Sequence, residues 1–211
     1  MARIGSIALC VTLSAIIAFL VACQAPKKRD AFAISTVKVL PAEGHGSGVH
    51  VGNRYIVTAA HVVGAAKTVK VKAKHGGESE ADVLWVNKAH DIALLRAREL
   101  QGVAVSQIEC GVPAIGQHIE AIGAPGPLEF IHAFGRVSSE VQSNAHWASY
   151  FIAAMVVGPG MSGGPVFDAR GKVVGIVVGV ALTQLGWTAS ALSLAYVVPS
   201  QTVCNLTMRS A

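Results

Sequence analysis

An all-β protein, two small antiparallel units in series followed by a short C-terminal helix, is the fold class this sequence predicts. Three observations carry the prediction. Brief apolar segments, cut by glycine and polar turns, recur at roughly ten-residue spacing. Several alternate apolar with polar residues, as half-buried strands do; in "TVKVKAKH", Val69 and Val71 stand opposite Lys70 and Lys72. A less ordered stretch from Arg98 to Pro113 divides the segments into two sets. The totals agree. Of 211 residues, 52% are hydrophobic and 14% charged, which excludes disorder and allows one large domain or two small ones.

The chain opens on "ARIGSIALCVTLSAIIAFLVAC", one early charge followed by an apolar run from Ile4 to Ala22. A charged start, an apolar middle and a small residue at the end, with polar "QAPKKRD" directly behind, describe a secretory signal over residues 1–22. "LVAC" (Leu20 to Cys23) resembles a bacterial lipobox. That resemblance implies cleavage before Cys23, a lipid on its thiol, and attachment to the membrane at the periplasmic or extracellular face of the cell envelope. An uncleaved N-terminal anchor is the alternative. Lys27, Lys28 and Arg29, behind the apolar run, favour it because they strain the positive-inside rule for an exported chain. Residues 23–33 are then a short charged tether.

The first β unit, residues 34–100, holds "ISTVKVLP", "GSGVHVGN", "RYIVTAAH", "TVKVKAKHGG", "ADVLWVN" and "DIALLRA". Residues 101–115 are a connector. The second unit, residues 116–198, holds "HIEAIGAPG", "EFIHAFGRVSSEV", "WASYFIAAMVV", "GGPVFDARG", "KVVGIVVGVAL" and "LSLAYVVP". Residues 199–211 open with Pro199 and Ser200, a helix start.

Charge excludes one class of function. The formal net charge is +5, but Arg3 and the run from Lys27 to Asp30 carry most of it. From Ala31 onward 13 Lys/Arg face 11 Asp/Glu, leaving +2. A nucleic-acid binder needs its charge as a patch on the folded body, so nucleic acid is not an expected partner. Nor is a metal or another cofactor. His45, His50, His75, His118, His132 and His146 are scattered, and no H-E-x-x-H or C-x-x-C pair occurs. With Cys10 in the signal and Cys23 lipidated, Cys110 and Cys204 remain as an even pair in an oxidising compartment. They form either one disulfide or two buried thiols.

The segment with chemistry in it is "VVGPGMSGGPVFD", Val156 to Asp168, where Ser162 sits among four glycines and two prolines. A serine becomes a nucleophile only with a base to take its proton, a third group to orient that base, and N–H donors aimed at the developing oxyanion. Chain order tests which arrangement is available. "GMSGG" matches the nucleophile elbow of α/β hydrolases, but that order needs a histidine after the serine, and the last histidine is His146. A subtilisin order needs an aspartate before the histidine, and only Asp30, in the tether, precedes His61. The order His…Asp…Ser fits: "YIVTAAH" ends an apolar strand at His61, and "HDIALL" opens another at Asp91. His90 is a decoy, since neighbours on a strand point to opposite faces.

"TAAH", "DIALL" and "G-x-S-G-G-P", in this order and separation, resemble the three signature segments of trypsin/chymotrypsin-like serine proteases. "PGMSGGP" with "GSGV" (Gly46 to Val49) and "YVVPS" is most similar to the bacterial HtrA-type branch. The resemblance covers roughly Ser35 to Leu206 and implies two six-stranded antiparallel β-barrels. It implies Ser162 as nucleophile, His61 as general base and then acid, and Asp91 as the group holding the imidazole. It also implies an oxyanion hole from the N–H groups of Gly160 and Ser162. Val156, six residues before the serine, would be the base of the primary pocket, with Val178, Gly179 and Val180 as its facing wall. All are uncharged, so cleavage after small or medium aliphatic residues is expected. Met161 stands where trypsin has an aspartate that pairs with a new N-terminus, so activation by that route is not expected. HtrA-type enzymes usually carry a C-terminal PDZ domain, and about a dozen residues after Pro199 leave no room for one. The expected activity is endoproteolysis, through an acyl-enzyme, of unfolded or extended protein segments. A catalytically latent binding or chaperone module and a narrow-target processing protease are the alternatives.

Overall fold

A computed structural model describes residues 30–185 and 188–208 of the chain. The signal sequence and the lipidation site at Cys23 lie outside the described residues. The folded body begins at Phe32. The final residues of the expected tether are therefore structured: α1 (Asp30–Ser35) is a short helix, and Ala33 is fully buried in the core. Phe32 stacks on Phe167 with ring centroids 5.1 Å apart.

The first barrel contains β1 (Thr36–Leu40), β2 (Gly46–Gly52), β3 (Tyr55–Ala59), β4 (Thr68–Ala73), β5 (Glu78–Asn87) and β6 (Ile92–Ala97). They close in the order β1-β2-β3-β6-β5-β4. The second contains β7 (His118–Gly123), β8 (Ile131–Val137), β9 (Phe151–Ala154), β10 (Pro165–Phe167), β11 (Val173–Leu185) and β12 (Thr188–Pro199), closed as β10-β11-β12-β9-β8-β7. All pairings within the barrels are antiparallel. These are the two six-stranded barrels expected. The chain ends on α3 (Ser200–Met208).

Strand pattern follows surroundings. In β4 the burial alternates, Val69 and Val71 inside and Thr68 and Lys70 outside, because one face is solvated. The run "VVGIVV" of β11 is apolar throughout because both its faces are covered. Val174 and Val177 belong to the core of the second barrel. Val173, Ile176 and Val178 join the cluster that fills the first barrel and continues across the seam between the two. Phe167 and Ile122 also cross that seam.

The connector is bound to the body along its length, Ala104 N–H donating to Ile34 O and Ser106 N–H to His50 O. Ile108 bridges to Val173, and Cys110 is joined to Cys204 of α3 by a disulfide with a Cα–Cα distance of 5.8 Å. The bridge spans 94 residues of sequence, a loop long enough for cross-linking to remove substantial entropy from the unfolded chain. Cys204→Ser is expected to destabilise the fold by about 2–5 kcal/mol. Urea denaturation of wild type and variant, with and without reductant, checks it: reductant should lower the wild-type midpoint to that of the variant and leave the variant unmoved.

Candidate active site

His61 does not end a strand; β3 stops at Ala59, and His61 lies in the single helical turn α2 (Ala60–Val63). The turn buries Ala60, Val62 and Val63 and leaves the imidazole, 49% exposed, in the cleft. Asp91 likewise precedes its strand, as the last residue of a turn whose backbone it closes with φ +53°. Aspartate tolerates this left-handed conformation better than most residues. The turn directs its carboxylate at α2. Asp91 Oδ1 accepts the backbone N–H of His61 at 2.8 Å, and Oδ2 accepts from Nδ1 at 2.6 Å. The Asp91 carbonyl also accepts the N–H of Ala60 at 3.0 Å. An ionised carboxylate can only accept, so the proton sits on Nδ1 and Nε2 is left as the basic nitrogen. His90 turns elsewhere, its Nδ1 3.2 Å from Ser149 Oγ.

Sequence reasoning missed a second partner of Asp91. Trp147, in the loop between β8 and β9, donates its indole N–H to Asp91 Oδ2 at 3.4 Å. Its ring packs against Tyr196 and Tyr150, with centroids 4.9 and 5.9 Å away. Asn144 Oδ1 shapes the loop by accepting the N–H groups of His146 and Trp147, and Ala148 N–H donates to Ala89 at 2.7 Å. The second barrel thus braces the aspartate of the first. A tryptophan in a polar loop has no local pattern that would reveal this.

Ser162 lies in the seam. Its carbonyl accepts the N–H of Ser47 on β2 at 2.8 Å. The adjoining peptides are held one by one: Gly126 N–H donates to Pro159 O, Met161 N–H to Gly158 O, Gly164 N–H to Met161 O and Gly163 N–H to Val177 O, at 2.7–3.0 Å. Two N–H groups are left over. Those of Gly160 and Ser162 donate to no acceptor among the described residues, while the carbonyls of the same two peptides, Pro159 and Met161, are fixed from behind. Among the described residues Ser162 Oγ has no hydrogen-bond partner either, the imidazole included. Such nucleophile–base contacts are often loose without a substrate. Met161, 2% exposed, is packed in the second barrel.

The residues expected to form the primary pocket differ in their surroundings. Val156 is 72% exposed and lies on a cavity of about 500 Å³ with Pro125, Ile131, His132, Phe134 and Met161. Val178, Gly179 and Val180 do not line that cavity. Val178 is buried in the seam, and Gly179 lies against the ring of Trp147. Gly179 and Val180 are half-buried. His132 on the cavity pairs through Nδ1 with the buried carboxylate of Glu120. Beyond the cavity, Lys72 and Lys38 hold the Glu129 carboxyl below its usual range, tying the loop after Ala124 to the first barrel.

Two glycines have geometric reasons. Gly160 (φ +98°) and Gly163 (φ +82°) adopt backbone that side chains rarely take. A Cβ at Gly160 would collide with Ala124 O and His45 Nε2, and one at Gly163 with Ser47 O and Thr58 Oγ1. Gly163→Ala should destabilise the whole fold, by about 3 kcal/mol or more, because the collision is in the seam. Gly160→Ala should distort the loop with a smaller loss. Thermal melts followed by circular dichroism rank the two; equal melting for both variants and wild type would contradict this geometry.

Residues 46–176 match the model of the trypsin-like peptidase domain. The HhoB protein of Synechocystis sp., named as a serine protease, is 32% identical over 173 residues, covering 78% of this chain and 39% of that protein. A Buchnera aphidicola protein named as a DegP-like periplasmic serine endoprotease is 29% identical over 189 residues, covering 86% and 40%. The chain therefore spans about two fifths of the length of these relatives. Among solved structures, the Rv3671c protease of M. tuberculosis superposes in its inactive form with a TM-score of 0.73 at 23% identity, covering 85% of this chain and 90% of that one. Its active form gives 0.73 at 23%, covering 83% and 80%. At that identity the likeness concerns the fold. On the family match, which takes in most of both barrels and the serine loop, this chain belongs to the trypsin-like peptidase family.

Proposed function

We propose that the protein is a serine endopeptidase with Ser162 as nucleophile, His61 as general base and acid, and Asp91 as the group that orients it. The observation that carries this reading is the pairing of a closed His61–Asp91 contact with two acceptor-free N–H groups on the Ser162 loop. Ser162 Oγ attacks the peptide carbonyl carbon while His61 Nε2 takes its proton. The carbonyl electron pair moves to oxygen, and the N–H groups of Gly160 and Ser162 hold the resulting oxyanion. As the C–N bond breaks, His61 returns the proton to the leaving amine and an acyl-enzyme ester remains. Water then attacks the ester with His61 as base, releasing the new carboxyl terminus and restoring the serine. Asp91 stays ionised throughout, balancing the imidazolium each time it forms.

Fluorophosphonate labelling and casein hydrolysis by the chain from Ala31 onward test the assignment. Wild type should label and cleave; Ser162→Ala should not label and should lose turnover by a factor of roughly 10⁴–10⁶. A folded wild type that takes up no probe would overturn the assignment in favour of a binding module.

The substrates in this reading are extended or unfolded protein segments in the cell envelope, reached by an enzyme tethered through a lipid on Cys23. The lipobox-like "LVAC" and the periplasmic naming of the Buchnera relative support that location. Among the described residues no helix is long and apolar enough to cross a membrane. Intact-mass analysis of the membrane fraction should find a chain starting at a lipidated Cys23; a mass beginning at Met1 would show an uncleaved anchor instead.

A further inference from the structure

Ser47 is fully buried, and it reaches the carbonyls on both sides of Met161–Ser162. Its N–H donates to Ser162 O at 2.8 Å and its hydroxyl to Gly160 O at 2.8 Å. The same hydroxyl oxygen accepts the N–H of Ala124 at 3.0 Å, and the Ala124 carbonyl accepts from His45 Nε2 at 2.8 Å. His45 also lies against the open side of Gly160, where a Cβ would sit. Below, Thr58 Oγ1 donates to Ser47 O at 2.6 Å. None of these bonds closes a strand ladder.

Gly160, with φ +98° and no side chain, can rotate its peptides at little steric cost. Within the loop, Met161 N–H on Gly158 O holds one side of the Gly160–Met161 peptide, and the bond from Ser47 holds the other. The Ala124 N–H occupies one lone-pair direction of the Ser47 oxygen, which leaves the hydroxyl proton to Gly160 O. That bond holds the Gly160 carbonyl in the seam, behind the loop.

We propose that Ser47, backed by His45, is a positioning residue for the oxyanion hole: its hydroxyl holds the Gly160–Met161 peptide so that the N–H groups of Gly160 and Ser162 stay presented to the substrate. The proposal rests on the endopeptidase reading above. It concerns the transition state alone, because the oxyanion exists only there. Removing the hydroxyl also leaves the buried Ala124 N–H without a partner and frees Gly160 O, which favours rotation of the loop.

The test begins with wild type and Ser162→Ala in the labelling assay, so that failure of the endopeptidase reading appears separately, as an unlabelled wild type. Given an active wild type, Ser47→Ala should lower kcat about 10–100-fold with KM changed less than about two-fold, below the roughly 10²–10³ seen when an oxyanion donor is itself removed. The inhibition constant of a peptide aldehyde, whose adduct carries the oxyanion, should rise by the same factor as kcat falls. Binding of the substrate peptide to Ser162→Ala should be unchanged when Ser47→Ala is added. A purely structural role would weaken both kinds of binding together. Wild-type kcat in Ser47→Ala, or equal losses in peptide and aldehyde binding, would overturn the proposal. If Ser47→Ala does not fold, His45 carries the same test: His45→Gln, which keeps a donor for Ala124 O, should hold kcat within about three-fold, and His45→Leu should lose about ten-fold. Equal kcat in those two variants would overturn it.

Discussion

The two barrels share no strand, yet the groups at the site come from both, so the structure depends on the seam that fixes one barrel against the other. Most of the seam is apolar: Ile122, Phe167, Ile176 and Val178 continue the first barrel's core across it. Burial of that surface is the larger free-energy contribution, but it is non-directional and would tolerate small slips. A slip of an ångström is what the chemistry would not tolerate. Register has to come from bonds with direction. Ser47 N–H to Ser162 O, at 2.8 Å, ties the first barrel to the serine loop, and Ala148 N–H to Ala89 O, at 2.7 Å, ties the β8–β9 loop to the turn that holds Asp91; within the first barrel Thr58 Oγ1 braces Ser47 O at 2.6 Å. Each is worth only about 1 kcal/mol net, but breaking either bond of Ser47 leaves a buried polar group unpaired.

This explains where glycine is required. Gly163 sits where the end of β3 and the start of β2 both press on the serine loop, so the barrels can approach only because no Cβ intervenes. Gly160 is different. It leaves room for His45 and frees the backbone to face outward, at the cost of a conformation that neighbours must impose. Trp147 plays the complementary part for Asp91, as a large ring wedged on Gly179 and Tyr196 that carries a single donor to the carboxylate.

Much of this was legible in the sequence because the code for it is local. Alternation marked β4, and a two-sided apolar run marked β11. What depends on a distant partner was not legible. β5 begins at Glu78, ahead of the apolar run that announces it, because Lys70 and Lys72 across the ladder pair with Glu80 and Glu78. The helix at Asp30–Ser35 looked like tether because Phe32 finds its apolar partner, Phe167, far along the chain. His61 and Asp91 were identifiable as residues, but their backbones, one helical and one left-handed, are set by each other's hydrogen bonds. The exposure of Val156 is a loop property that no linear offset encodes.

Met161 supports the serine loop from the core side. A carboxylate before the serine would be unpaired in the apolar interior of the second barrel, and such a group needs a positive partner to be buried at all. Methionine needs none. It packs with Val157 and Val166 in that core and anchors the loop by apolar burial, while its N–H closes on Gly158 and its carbonyl on Gly164. The orientation of the serine loop is therefore supported from two sides by groups present in the chain as synthesised, the core beneath Met161 and the hydroxyl of Ser47 across the seam. Neither waits for a charge created by cleavage. The loop from Ala124 to Glu129 touches both supports: Ala124 donates to Ser47, and Pro125 lines the cavity beside Met161.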